Sequence, residues 1–329
     1  MRPSVSVIGT VLNEERHLRT SVEHVLAQDY DGPFEVVIAL GPSRDRTAEI
    51  AAELSAADPR VRFVDNPSGR TPDGLNAAVA ASTGEVVVRV DGHALLPPAY
   101  VSTVVRVLEE SGADNVGGMM AAEGVTEFEQ AVARAMTSRF GVGGAAFHTG
   151  GAAGEAETVY LGAFRRSALD RTGGYDPAFT RAQDWELNYR IRATGGRVWF
   201  DPAIRVSYRP RHTLRLLAKQ YGNYGRWRRV VARQHRGSIN LRYLAPPLTQ
   251  LAIVLGTALG LVGVPLGWLL PGGYAAGVLG ASVLTGAGLP LRSRLWLPLV
   301  YATMHQTWAA GFLTSPRSLA ARTRASLAR

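Results

Sequence analysis

Residues 70–93 read RTPDGLNAAVAASTGEVVVRVDGH, and the fold turns on how they divide. Leu75 to Ala81 has helical spacing, and Glu85 to Val90 is a β-branched apolar run ending in Asp91-Gly92-His93. The same alternation recurs outward. Val5-Ser6-Val7-Ile8 is a short strand, and Asn13 to Gln28 a helix with Leu18, Val22, Val25 and Leu26 on one face. Phe34 to Leu40 is the next strand, Thr47 to Ala57 a helix, and Val61 to Val64 a third strand. Strand–helix alternation predicts an α/β fold with a largely parallel sheet covered by helices. Ligands of such sheets gather at the carboxyl ends of the strands. Thr10–Glu15, Gly41–Asp45 and Asp91–His93 are therefore the places to look.

Beyond this region the composition changes. The chain of 329 residues is 46% hydrophobic and 19% charged, which excludes disorder as the main state. It has no cysteine, so disulfides, thiolate zinc sites and cysteine nucleophiles are excluded. The net charge of +9 conceals a division at Arg205: from it onward there are 17 basic and no acidic residues, while 19 bases and 27 acids precede it. Such asymmetry points to nucleic acid or membrane. The bases flank apolar stretches, which decides for membrane lipids and against nucleic acid. No charge occurs from Leu248 to Leu291, enough for two spans, 248–270 and 273–291, broken at Pro271-Gly272-Gly273. A third apolar segment, 295–313, contains Pro298, His305 and Gln306 and is expected to span or, in preference, to be re-entrant or interfacial. Met1-Arg2-Pro3-Ser4 precedes the first strand, and no signal peptide is visible.

Residues 213–244 form a basic region in which 213–236 is amphipathic, with Leu214, Leu217, Tyr221, Tyr224 and Trp227 at helical spacing. It reads as an interfacial helix on anionic headgroups. The expected division is thus 1–212, 213–244, a membrane region 245–315 and a basic tail 316–329. Residues 141–156, GVGGAAFHTGGAAGEA, are too small-sided to build a core and read as a mobile loop or solvated linker. Two places carry chemistry. Asp91 and His93, two apart on a strand-end turn, can face one divalent ion; mixed oxygen and nitrogen ligation suits Mn²⁺, with Mg²⁺ the harder alternative. Asp184 and Glu186 open a helical segment beside Trp185, a pattern that fits helix capping as well as catalysis.

The segments VSVIGTVLNEE, GRTPDGLNAAVAASTGEVVVRVDGH and GGYDPAFTRAQDWELNYRIRATG occur in the order found in family 2 glycosyltransferases, which the chain resembles over about residues 3–235. Within the family it is most similar to membrane-bound exopolysaccharide enzymes of the succinoglycan type, through VDGHALLPPAYV, SRFGVGGAAFHTGG, TVYLGAFRRSAL, QDWELNYRIR and QYGNYGRW. The resemblance implies a GT-A fold, a Rossmann-type nucleotide-sugar-binding domain, and inversion at the transferred sugar. Thr10, Asn13 and Glu14 match the loop that holds donor base and ribose, and Arg70 and Asn76 match the lining of the donor pocket. Asp91 and His93 stand at the family's D-x-D position, with His replacing the second Asp, where metal and diphosphate meet. Asp184 matches the general base. Gln220, Arg226 and Trp227 resemble a loosened Q-x-x-R-W motif with two extra residues.

The chemistry is consistent with these roles. The departing diphosphate develops negative charge that a divalent cation, Mn²⁺ or Mg²⁺, and Arg side chains stabilise. The incoming hydroxyl needs one carboxylate to take its proton, and no second carboxylate acts as nucleophile. The resemblance thus implies a membrane-anchored, multi-pass hexosyltransferase whose catalytic part faces the cytoplasm. It would use a nucleotide-sugar donor, a UDP-sugar such as UDP-glucose, and a lipid-linked saccharide acceptor. The rival is a non-catalytic assembly subunit with a degenerate transferase domain. Two departures touch finer points. Leu40-Gly41 stands where many members carry an Asp-Asp pair that reads uracil, and Val206 to His212 assigns no third metal ligand.

Overall fold

Valine and isoleucine dominate the first strands, whose side chains are buried on both faces, as a helix-covered parallel sheet requires. The computed structural model describes residues 1–320. In chain order the elements are β1 (Val5–Val11), α1 (Leu18–Leu26), β2 (Phe34–Leu40), α2 (Thr47–Ala57), β3 (Val61–Asp65), α3 (Thr71–Ala81), β4 (Val86–Arg89) and α4 (Tyr100–Ser111). There follow β5 (Asn115–Ala122), α5 (Glu127–Met136), the short α6 (Arg139–Val142) and α7 (Ala146–Thr149), β6 (Gly154–Glu155), β7 (Tyr160–Arg165), α8 (Arg166–Thr172), α9 (Gln183–Ala193) and β8 (Val198–Tyr208). The rest is helical: α10 (Leu214–Gln234), α11 (Leu241–Leu261), a 3₁₀ turn (Pro265–Trp268), α12 (Leu269–Thr285) and α13 (Leu291–Leu313). The described chain separates into two units, Met1–Ala121 with Gly150–Ser207, and Ala122–Thr149 with Tyr208 onward.

The sheet order is β3-β2-β1-β4-β7-β5-β8-β6. β1 pairs in parallel with β2 on one side and β4 on the other, so the winding direction reverses between β1 and β4. That reversal opens a crevice at the carboxyl ends of these two strands. The alternation visible in residues 5–93 covers only this parallel half. β7 runs antiparallel to both β4 and β5, and β6 antiparallel to β8, so the whole sheet is mixed. Its core is built by Val7, Ile38 and Val88 with Leu18, Val22, Val104 and Leu108 of the covering helices.

One element of the first unit starts later than its pattern suggests. Helical spacing begins at Asn13, yet α1 begins at Leu18. Asn13 has φ +56°, and the Glu14 and Glu15 amides donate to Thr47 Oγ1 (2.8 Å) and Asp45 Oδ2 (3.1 Å) instead of extending the helix. Tertiary partners outbid the local preference.

In the second unit α5 opens with a capping box: Glu129 N donates to Thr126 Oγ1 at 3.2 Å, and Thr126 N to Glu129 Oε2 at 3.0 Å. The glycine- and alanine-rich segment forms the short turns of α6 and α7 at its start. α10 is the expected amphipathic helix, but Leu217, Tyr221 and Trp227 are buried within the unit, and only Tyr224 of the apolar stripe is exposed. α10 packs along α13. The two backbones approach so closely that a Cβ on Gly225 would lie 1.9 Å from the Trp308 carbonyl oxygen, and one on Gly311 2.0 Å from that of Gly222.

The third apolar segment lies in α13. It is one unbroken helix with Pro298 inside it, and Leu297, Val300, Tyr301, Met304 and Phe312 are buried. Trp296 meets Phe128 of α5 edge-on at 5.3 Å, and Ser293 donates to Gln130 at 2.8 Å. Part of its apolar surface is buried against protein, while Leu295, Leu299 and Leu313 are exposed. Two helical segments, Leu241–Leu261 and Pro265–Thr285, are long and apolar enough to cross a membrane, and little of either is buried. Their break falls at Val262-Gly263-Val264, with Gly263 at φ +88°, and not at Pro271-Gly272-Gly273. Pro271 sits in the first turn of α12, where a missing N–H costs nothing. The tail arginines Arg322, Arg324 and Arg329 lie outside the described residues.

Candidate active site

The crevice at the β1/β4 switch is walled by two loops. The first leaves β1, where Asn13 N donates to Ser43 Oγ (3.0 Å) and Asn13 Oδ1 accepts from Arg44 N (2.8 Å). The left-handed backbone at Asn13 is one that asparagine tolerates. Asp45 holds this junction from the other side by accepting from the Thr47 hydroxyl and amide, and the hydroxyl keeps its carboxyl below the ordinary range. The stapled loop fixes Glu14, whose Oε1 lies 3.3 Å from His93 Nδ1. Thr10, near the end of β1, accepts at 3.3 Å from Asn66.

The second loop leaves β4. At Gly92 a Cβ would lie 2.5 Å from Val11 Cγ1, so glycine is what lets the Asp91–His93 turn sit against β1. Just before it, Arg89 is 5% exposed. Its Nη2 donates to Asp91 Oδ1 at 2.9 Å, and its Nη1 donates to Asp184 Oδ1. Burial by itself would lower the arginine pKa, but Asp184 and Asp91 reverse that and raise it well above the ordinary value. Tyr175, fully buried beside this guanidinium, has its hydroxyl pKa raised by desolvation.

Asp184 lies in the first turn of α9. The N-cap is Ala182, at φ +58°, and no side chain caps the helix. Asp184 is therefore not a cap; its carboxylate turns to Arg89 and stays about one-third exposed. The neighbouring acid has a different fate. Glu186 is buried and makes a bidentate pair with Arg190 (2.7–3.0 Å), which also donates to the carbonyls of Thr172 and Gly174. That network anchors α9.

Of the positions the resemblance implied, the first unit joins Asp91 to Asp184 through Arg89 and, separately, brings His93 against Glu14. Arg70 pairs with Asp73 at 2.8 Å at the start of α3. Asn76 does something else: its amide donates to Tyr175 O (2.7 Å) and accepts from Tyr175 N (2.8 Å). Both ends of that side chain are spent on pinning one backbone residue. Gln220, Arg226 and Trp227 belong to α10 in the second unit. Gln220 donates to the Tyr208 and Tyr224 hydroxyls (2.9 and 2.8 Å), the Arg226 carbonyl accepts from Ser315, and Trp227 is buried. Arg89 is the residue that sequence reasoning missed, whereas Asp45 lies in the strand-end segment it singled out. An arginine inside a valine strand was the available signal for the first.

Among the described residues, no three His, Cys, Asp or Glu side chains converge as a metal cluster. The arrangement instead offers one carboxylate and one imidazole at a strand end, with a second, partly open carboxylate tied to the first by a buried cation.

The glycosyl transferase family 2 model matches residues 6–173. Succinoglycan biosynthesis protein ExoA of Rhizobium meliloti is 34% identical over 312 residues, 93% of either chain. A dolichyl N-acetyl-alpha-D-glucosaminyl phosphate 3-beta-D-2,3-diacetamido-2,3-dideoxy-beta-D-glucuronosyltransferase of Methanococcus voltae is 24% identical over 74% of this chain and 77% of its own. The fold is that of a mannosyltransferase from Pyrobaculum calidifontis, solved with GDP-Man and Mn²⁺ (TM-score 0.61, 21% identity, covering 95% of this chain and 88% of that one). It is also that of S. aureus TarS, solved with UDP-GlcNAc (TM-score 0.52, 16% identity, covering 94% and 91%).

Proposed function

Since the chain belongs to glycosyl transferase family 2, we propose that it is a membrane-anchored, inverting hexosyltransferase of exopolysaccharide synthesis. The donor in this reading is a nucleoside-diphosphate sugar, UDP-glucose or similar, and the acceptor a lipid-linked saccharide or growing polysaccharide. The observation that carries it is the pair of carboxylates, Asp91 and Asp184, held together at the β1/β4 switch by Arg89. In this reading Asp91 serves the donor diphosphate at the strand ends, and Asp184, about one-third exposed, takes the proton. The likeness to the succinoglycan protein over 93% of both chains supports the polysaccharide class.

In this reading Asp184 accepts the proton of the acceptor hydroxyl as that oxygen attacks the anomeric carbon from the face opposite the diphosphate. Thr10, Asn13 and Glu14 hold base and ribose, and Arg70 faces the donor. Asn76 acts indirectly, through the backbone of Tyr175. Gln220 and Arg226 are the proposed donor-side residues of α10, with Trp227 as their buried anchor. Asp91 and His93 fit a Mn²⁺ or Mg²⁺ ion shared with the diphosphate. Arg89 engages only one oxygen of Asp91, and the His93 side chain is 57% exposed. Phosphate oxygens have to complete the shell, as they commonly do for such ions. When bound, the ion supplies positive charge to the departing diphosphate.

For topology we propose α11 and α12 as the two spans, with the catalytic part and the C-terminus in the cytoplasm. Arg292 and Arg294 then lie inside, as the positive-inside bias requires. α13 packs along the charged helices α5 and α10 and does not span. The test is a panel of nucleotide-sugars, with and without Mn²⁺, scored by thermal protection of the solubilised chain. A ligand at 100 times its Kd adds about 2.7 kcal/mol of stability. Protection by a UDP-sugar is expected, and absence of protection by every nucleotide-sugar contradicts the reading.

A further inference from the structure

Arg89 is a buried cation shared between two carboxylates that lie 93 residues apart in the chain, and each pairing uses one oxygen only. Its Nη2 takes Asp91 Oδ1 at 2.9 Å and its Nη1 takes Asp184 Oδ1. The described hydrogen bonds thus leave Oδ2 of each carboxylate uncommitted. A guanidinium is the one side chain that can do this, because its two terminal nitrogens diverge at a fixed angle in a plane. The Arg89 side chain is 7% exposed, against 31% for Asp91 and 35% for Asp184, so the cation is walled off while both carboxylates reach solvent.

The surroundings hold Arg89 in place. It closes β4, whose valines are all buried. Tyr175 lies beside it, and the Tyr175 backbone is clamped by Asn76 through both its N–H and its carbonyl. Arg190, by donating to the Gly174 carbonyl, ties the same corner to the helix that carries Asp184.

We infer that Arg89 is a positioning residue for the transfer reaction: it fixes Asp91 and Asp184 together, leaving one oxygen of Asp91 for the donor side and one oxygen of Asp184 for the acceptor's proton. This inference rests on the assignment of Asp184 as base given above. Its consequence is a division of labour. Arg89 touches neither substrate, so it governs how often a bound donor and acceptor meet a correctly placed base. A misplacement of the base by an ångström is enough to cost about 100-fold. The other strand-end groups, Thr10, Asn13 and Glu14, are held by hydrogen bonds to Asn66, Ser43, Arg44, Thr47 and His93.

The experiment compares Arg89→Lys and Arg89→Ala with the wild type in membranes containing the full chain. Nucleoside diphosphate release from UDP-glucose and other nucleotide-sugars is measured with saturating Mn²⁺. Lysine keeps the charge but brings one ammonium to two acceptors, so kcat is expected to fall at least 30-fold with donor KM within threefold. Arg89→Ala is expected to be inactive and to recover at least tenfold when guanidinium chloride is added at a non-denaturing concentration, relative to sodium chloride. A kcat for Arg89→Lys within threefold of wild type overturns the inference. So does a defect confined to KM, which would make Arg89 a donor ligand, or a collapse of both parameters without recovery by guanidinium, which would make it merely structural. Wild-type membranes that release no nucleoside diphosphate from any donor would overturn the transferase reading itself, and this inference with it. The two failures are therefore distinct.

Discussion

Asparagine at position 184 keeps the shape of the side chain and removes its ability to take a proton. The amide oxygen can still accept from Arg89 Nη1 as Oδ1 does now, so Asp91 keeps its partner and the donor end of the crevice is unchanged. Helix α9 keeps its start, because Ala182 is its N-cap and no side chain caps it, and it gives up only the modest benefit of a negative charge in its first turn. The substitution therefore isolates the proton transfer. A positioned general base is worth about 10²- to 10⁴-fold, which at 1.36 kcal/mol per decade is about 2.7–5.4 kcal/mol of barrier. Asp184→Asn should cut turnover at least 100-fold and leave donor KM within threefold, read as nucleoside diphosphate release by membranes carrying the variant. Retention of a tenth of wild-type turnover, or a loss that appears only in KM, would refute the assignment of Asp184 as base.

Chelation should abolish activity, and Mn²⁺ or Mg²⁺ should restore it. His93→Asp should remain active and shift its preference toward Mg²⁺, the harder ion, whereas full activity in excess chelator would remove metal from the mechanism. Glu35 sets an acid limit on the fold. Partial burial would raise its pKa, but hydrogen bonds from Ser6, the Thr83 amide, Arg62 and the Thr83 hydroxyl outweigh this and hold it at about 2. A depressed carboxylate stabilises the fold above the ordinary value of 4.5, and the contribution fades as pH falls toward 2. It amounts to at most about 3 kcal/mol at 1.36 kcal/mol per unit. The Tm of Glu35→Gln should accordingly converge on that of the wild type between pH 5 and pH 2.5, and a constant gap would show that Glu35 does not titrate in that window. Alkaline phosphatase fused after Arg329 should be inactive under the proposed two-span topology, and an active fusion would require a third span.

What could be read in advance follows the range of the forces involved. β2 and α2 were legible to the residue, since Phe34–Leu40 is apolar but for Glu35 and Thr47–Ala57 is a regular helical stretch. Local pattern and tertiary burial agree there. They part at α1, where hydrogen bonds from the α2 junction keep Asn13 to His17 out of the helix. The pair of long apolar helices was legible as apolar length but not in its break, because Pro271-Gly272-Gly273 tolerates a helix start and the turn instead uses Gly263. In the site, strand-end logic pointed to Asp91 and His93, and the family motif to Asp184. Nothing local could show that Arg89 joins Asp91 to Asp184, or that Asn76 is spent on Tyr175, since partners so far apart in sequence meet only once the sheet is formed.

The central claim is that this chain transfers a sugar from a nucleotide, with Asp184 as its base. The most direct test supplies membranes containing the full chain with labelled nucleotide-sugars and Mn²⁺. It follows nucleoside diphosphate release together with incorporation of label into lipid-extractable or polymeric saccharide. Stoichiometric release and incorporation from one donor, abolished in Asp184→Asn membranes, is the expected result. No release from any donor, or equal release by wild type and Asp184→Asn, would contradict the account.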